Sequence, residues 1–123
     1  MKSNKYILID GQTGKHKIIT MGKNTYDELH EKIKCDCFGC VARKIEGRKV
    51  YDIWHDDEFL YKNMPWELTG KCVNFDEILL GNIIIARHDS AGNTIGLTDS
   101  EILDVERSIL PVGGGREVLH YKL

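Results

Sequence analysis

The chain has 123 residues, 41% of them hydrophobic and 29% charged, which fits one globular domain, residues 1–123, rather than a disordered segment. No purely apolar run exceeds four residues, far short of the ~20 that a membrane-spanning helix needs. With a net charge of −2, and with Lys2 to Lys5 leading into four apolar residues before Asp10, the sequence predicts no nucleic-acid duplex partner, no membrane partner, no secretory leader and a cytosolic location.

Charge is unevenly spread. Residues 1–50 carry 11 Lys/Arg against 6 Asp/Glu, whereas residues 51–123 carry 6 against 13. Such asymmetry reads either as complementary charge on one folded surface or as an acidic face that steers toward a basic partner.

Lys5 to Asp10 is a β-branched and aromatic run, and Gly11-Gln-Thr-Gly14 separates it from Lys15–Met21, which predicts an opening hairpin. Thr25 three residues before Glu28, with Tyr26, Leu29 and Ile33 on one stripe, predicts a short amphipathic helix from Asn24 or Thr25. Phe38–Glu46 and Lys49–His55 flank Gly47-Arg48 as a second hairpin. Asp56 to Cys72 reads as a loop-like segment holding Phe59, Tyr61 and Trp66, punctuated by Pro65 and Gly70. Ile78-Leu-Leu80, Gly81 and Ile83 to Ala86 read as one buried strand bent at Gly81, and Ser90 to Asn93 as the turn after it. Thr98 and Glu101 form a second capping box ahead of Ile102, Val105 and Ile109, a helix that Pro111 is expected to end. The alternation of Leu119, Tyr121 and Leu123 predicts a terminal strand. The fold class is therefore α+β, mostly antiparallel sheet with two principal helices.

Candidate chemistry is sparse. Cys35, Cys37 and Cys40 cluster, with Cys72 well after them, but the spacing does not match two separated metal-binding pairs. Neither zinc nor a structural disulfide is expected. The histidines at 16, 30, 55, 88 and 120 are scattered, and no nucleophile elbow, His-Glu-x-x-His or Walker loop is present. The sequence thus predicts no catalytic residues, no metal and no cofactor. Gly113-Gly114-Gly115 followed by Arg116 is more suggestive, since turned backbone N–H groups beside a guanidinium suit a phosphate; the alternative is a plain hinge before the last strand. Arg107 is read as a second phosphate donor or a solvated charge.

The series Asp57-Glu58, Pro65, Ile78-Leu-Leu-Gly81-Asn82-Ile-Ile-Ile-Ala86 and Gly96-Leu-Thr-Asp-Ser-Glu101 resembles a group of small phage proteins over roughly residues 5–105, departing at Phe59 and Glu67. Within that group the chain looks most like the phage sponges that counter Thoeris antiviral defence. The resemblance implies a homodimer or higher oligomer in the cytoplasm of the infected bacterial host. It also implies sequestration of a cyclic ADP-ribose isomer without catalysis, in pockets near subunit junctions. Such a ligand needs cationic or N–H donors, a stacking face and polar groups for its edges. Chemistry nominates Arg107, Arg116 and Gly113 to Gly115 for the first, Phe75 or Trp66 for the second, and Asn93 or Asn82 for the third. A terminal strand on a glycine hinge is also a candidate for exchange between subunits. The alternative function is a phage inhibitor that acts by direct contact with a host protein.

Overall fold

The Tyr6-Ile-Leu-Ile9 run forms β1 (Lys5–Ile9), antiparallel to β2 (His16–Thr20), in the computed structural model, which describes residues 4–22, 25–33, 38–45, 49–56 and 67–123. Asp10 Oδ1 closes the intervening turn by accepting from the Gln12 and Thr13 amides at 2.8 and 3.2 Å. α1 (Thr25–Ile33) starts where expected, and the Glu28 carboxylate accepts from the Gly22 amide at 2.7 Å. β3 (Phe38–Lys44) and β4 (Val50–Asp56) pair antiparallel as the second hairpin, whose Gly47-Arg48 turn lies outside the described residues. Phe59, Tyr61, Pro65 and Trp66 lie outside them too.

Past that point the chain departs from expectation. Leu68–Cys72 is a strand, β5, rather than loop. The Ile78–Ala86 stretch is two strands, β6 (Ile78–Leu80) and β7 (Ile83–His88), in different sheets. Gly81, at φ 79°, is the corner between them; Thr69 Oγ1 donates to its carbonyl at 2.7 Å, and its Cα lies 2.7 Å from where a Cβ on Gly11 would stand. β8 (Thr94–Ile95) follows the expected turn and pairs with the end of β7. α2 (Asp99–Arg107) carries the full capping box: Thr98 Oγ1 accepts from the Glu101 amide and Glu101 Oε1 accepts from the Thr98 amide. The helix stops at Ser108, before Pro111. Pro111 instead sits in β9 (Ile109–Gly113), an edge strand among the described residues, where a missing N–H is tolerated. Gly113 ends β9, and Gly114 and Gly115 form the turn that joins it to β10 (Arg116–Tyr121), rather than a hinge after the helix.

The result is α+β and mostly antiparallel. The first sheet runs β2-β1-β7-β4-β3, and the second runs β6-β5-β10-β9 with β5 and β10 parallel. β7 is central and covered on both faces, which explains why Ile83 to Ala86 is apolar without alternation. Ile83 and Ile85 join Ile7, Ile53 and Tyr51 in the core that meets Leu119, Tyr121 and Leu79 of the second sheet, together with Ile102 and Val105 of α2. Ile84 and Ala86 face the other way, onto Leu29 and Ile33 of α1. Gly70, inside β5, leaves the room that Leu79 and Tyr121 fill; both lie 3.2 Å from where its Cβ would be.

β10 connects the two edges of the first sheet. The Glu117 amide donates to the Gly14 carbonyl at 2.7 Å beside β2, and Lys122 exchanges two backbone hydrogen bonds with Lys44 at the end of β3. Five residues of strand span about 17 Å and four interstrand spacings about 19 Å, so β10 crosses the first sheet nearly at right angles. Its pairing on both sides is within its own chain, so the exchanged tail considered from the sequence is not needed to satisfy it.

His16 locks this crossing. Its Nδ1 lies 3.0 Å from Glu117 Oε1 and its Nε2 lies 3.1 Å from Glu106 Oε2, joining β2, β10 and α2. Burial alone lowers the His16 pKa, but the hydrogen bonds to Glu117 and Glu106 outweigh it and raise the value above the usual 6.5. For Glu117, burial raises the pKa, yet the His16 backbone and ring contacts hold it below the usual 4.5. The His16 contribution is full below 6.5 and is lost as pH rises through its folded pKa, whereas the Glu117 contribution is full above 4.5 and is lost as pH falls through its own. The lock therefore stabilises most between those two values. In urea unfolding, His16→Gln is expected to lose about 1–2 kcal/mol at pH 5.5, somewhat under the ~1.5–3 of a fully buried charged hydrogen bond because the site is partly exposed, and clearly less at pH 8.5. An equal loss at both pH values would contradict this assignment.

Candidate functional site

A concavity opens where the end of β10 meets the end of β3. Lys44, Val73, Arg107, Ser108, Leu110, His120 and Lys122 line a cavity of about 350 Å³, within the ~300–1,000 Å³ range of small-molecule sites. The fold assembles it from five places. Lys44 ends β3 and Val73 follows β5. Arg107 and Ser108 close α2, Leu110 belongs to edge strand β9, and His120 and Lys122 come from the end of β10 and the residue after it.

Lys44 and Lys122 face each other across a bridge in which each amide donates to the other's carbonyl, at 2.9 and 2.8 Å. Side chains of residues directly opposite in an antiparallel pair leave from the same face, their Cβ atoms about 4.5–5.5 Å apart, and like charges in that arrangement are destabilising. Arg107 adds a third cation; its Nη1 reaches Asp104 at 3.1 Å, which leaves most of the guanidinium edge exposed. Among the described residues, no carboxylate lines the cavity. His120 is anchored by its amide, which donates to the Ser108 carbonyl at 2.7 Å, and its ring Nδ1 is buried with no partner among the described residues. Three converging cations, an imidazole and the apolar Val73 and Leu110 together suit an anion with an apolar or aromatic portion.

Of the residues nominated from the sequence, the cavity takes Arg107. Phe75 is 58% exposed in the same β5–β6 turn as Val73. Arg116 is at the opposite end of β10, where its Nη2 donates to the Gly11 carbonyl at 2.7 Å and its Nη1 to that of Gln12 at 3.3 Å; its stem packs on Gly14. Gly113, Gly114 and Gly115 form the exposed turn beside it, all with positive φ. Asn82 is fully engaged, accepting from the Gly11 amide and donating to the Lys32 carbonyl. Asn93 donates to Asp89 within its own turn. Trp66 lies outside the described residues, as do Cys35 and Cys37; Cys40 and Cys72 are free thiols. Lys44, Lys122, His120 and Ser108 were not singled out as ligands, because a pair 78 positions apart leaves no local spacing signal.

Several of the remaining charges hold the two halves of the chain together. Arg43 grips Glu77 through two bonds of 3.0 and 2.8 Å, Lys49 approaches Glu101 at 3.4 Å, and Lys5 approaches Asp99 at 3.5 Å. With His16 on Glu106 and Glu117, each of these cross-half pairs joins a cation from residues 1–50 to an anion from residues 51–123. Buried Glu101 also meets Arg87, whose guanidinium lies 5.5 Å from the Tyr51 ring centroid. Burial raises the Glu101 pKa, but the Thr98 amide, Arg87 and Lys49 outweigh it and hold the carboxyl low. Part of the charge asymmetry is thus complementary charge on one folded surface.

The chain matches no protein-family model, no curated protein and no solved structure.

Because Lys44 and Lys122 repel one another when the cavity is empty, Lys122→Gln is expected to leave the melting temperature unchanged or slightly raised at low salt. Millimolar inorganic pyrophosphate should raise the wild-type melting temperature by several degrees and that of the variant by less than half as much. Equal shifts in both proteins would remove the lysine pair from the site.

Proposed function

We propose that the protein is a non-catalytic binder of a small pyrophosphate-bearing nucleotide of the cyclic ADP-ribose type, and that it acts as a phage-encoded sponge in the cytoplasm of an infected bacterium, blocking Thoeris defence. The observation that carries this reading is the gathering of Lys44, Arg107, Lys122 and His120 on one cavity, with no carboxylate among the described lining residues. A pyrophosphate diester presents two anionic phosphoryl groups, which two or three well-placed cations match without an overall basic field. Val73 and Leu110 supply apolar wall, and exposed Phe75 in the neighbouring turn offers a stacking face for a base. A homodimer or higher oligomer belongs to the same reading, and half-exposed Leu110 and Val112 on edge strand β9 support it as apolar area beside the cavity.

Isothermal titration with a panel of cyclic ADP-ribose isomers is expected to give saturable binding near one ligand per chain, with the ligand recovered intact. Changing Arg107 and Lys122 together to Gln should weaken it at least tenfold, since each charged hydrogen bond lost is worth about 1.5–3 kcal/mol. Absence of binding to every isomer would refute the reading, and recovery of a cleaved ligand would refute its non-catalytic part.

A further inference from the structure

The lock around His16 and the basic cavity share a short piece of chain. Glu106, gripped by His16 Nε2, is followed directly by Arg107 and Ser108, two of the cavity's lining residues. Ser108 is in turn tied to the cavity floor, because its carbonyl accepts from the His120 amide.

The hydrogen-bond inventory makes this connection depend on protonation. Both partners of the His16 ring are carboxylates, which when ionised only accept. A neutral imidazole has one N–H, so it satisfies one carboxylate and turns a lone pair toward the other. Glu117 Oε1 also receives the His16 backbone amide at 2.9 Å, which keeps Glu117 in place whichever way the ring titrates. Glu106 has no such second hold from His16. It also stands in the last turn of α2, where the helix dipole disfavours a negative charge. Deprotonation of His16 therefore falls on Glu106. The charged groups around the ring are Glu106 from α2, Glu117 from β10, and Lys15 next to it on the hairpin turn. Arg116 from β10 is committed to the Gly11 and Gln12 carbonyls, and on α2 Arg107 is paired with Asp104.

We propose that His16 is a pH-dependent latch on the ligand cavity: its doubly protonated ring holds the last turn of α2, and with it Arg107 and Ser108, in the binding-competent position. The ligand consequence rests on the function proposed above, whereas the movement of the helix end does not. Anion affinity is then highest when the ring is charged and falls as it loses its proton. His120 is a second imidazole, inside the cavity itself, so the experiment must separate the two rings.

Nuclear magnetic resonance of the full ligand-free chain does so by following each imidazole and the Arg107 and Ser108 amides from pH 5 to 9. The two amides are expected to titrate with the His16 midpoint, and His16→Gln is expected to abolish that step. Glu106→Gln, which keeps the side chain's shape and removes its charge, should abolish it as well and serves if His16→Gln does not fold. In parallel, cyclic ADP-ribose is expected to bind wild type several-fold more weakly at pH 8 than at pH 6, with most of that ratio gone in either variant. Amides that follow His120, or do not titrate, would overturn the latch, as would a pH ratio undiminished in both variants. Failure to bind at either pH would refute the proposed function and leave the amide titration to decide the latch.

Discussion

β10 is the constraint on which the rest of the structure depends. It enters beside the β1–β2 turn, crosses under the first sheet and leaves at the end of β3, hydrogen-bonding the sheet's two opposite edges on the way. In doing so it places Leu119 and Tyr121 in the shared core, pairs β5 on one side and β9 on the other, and delivers Glu117 to His16. The same crossing brings Lys122 against Lys44. The candidate site is thus a by-product of closing the two sheets: it forms where the strand's far end meets the first sheet's edge.

Electrostatics reinforce that closure in a directed way. An excess of cations early in the chain and of anions late in it would repel within each half, and the fold relieves this by crossing the halves. Arg43 with Glu77, Lys49 with Glu101, and His16 with Glu106 and Glu117 each join elements distant in sequence. Partly buried pairs, such as the bidentate Arg43–Glu77, add geometric specificity more than net stability, which suits a protein whose two sheets must meet at one angle. Against this background of paired charge, Lys44 and Lys122 stand out, because like charges sit opposite one another at the rim of a cavity with no carboxylate among its described lining residues.

Much of the first sheet was legible from residues alone. The apolar run Ile83 to Ala86 reads as buried strand and is one, and the Thr98–Glu101 capping box set the start of α2 within a residue. The second sheet was not. Leu68–Cys72 has no periodic pattern, and Gly70 makes sense only once Leu79 and Tyr121 occupy its empty side. Pro111 reads as a helix stop until β9 is seen to be an edge strand, and Gly81 as a bulge until its two flanking strands are seen to part company. The site was legible in one residue, Arg107. The others became neighbours through the crossing of β10, a tertiary event with no local signature, whereas the glycine turn and Arg116, which carried the most suggestive local pattern, sit at that strand's other end.

The most direct test of the account is where a bound nucleotide sits. A crystal structure of the protein with cyclic ADP-ribose is predicted to place the pyrophosphate between the Lys44 and Lys122 ammonium groups, within hydrogen-bond reach of Arg107, with the adenine against Val73, Leu110 or Phe75. A ligand seated instead at the Gly113–Gly115 turn beside Arg116, with the Lys44–Lys122 cavity left to solvent, would contradict it.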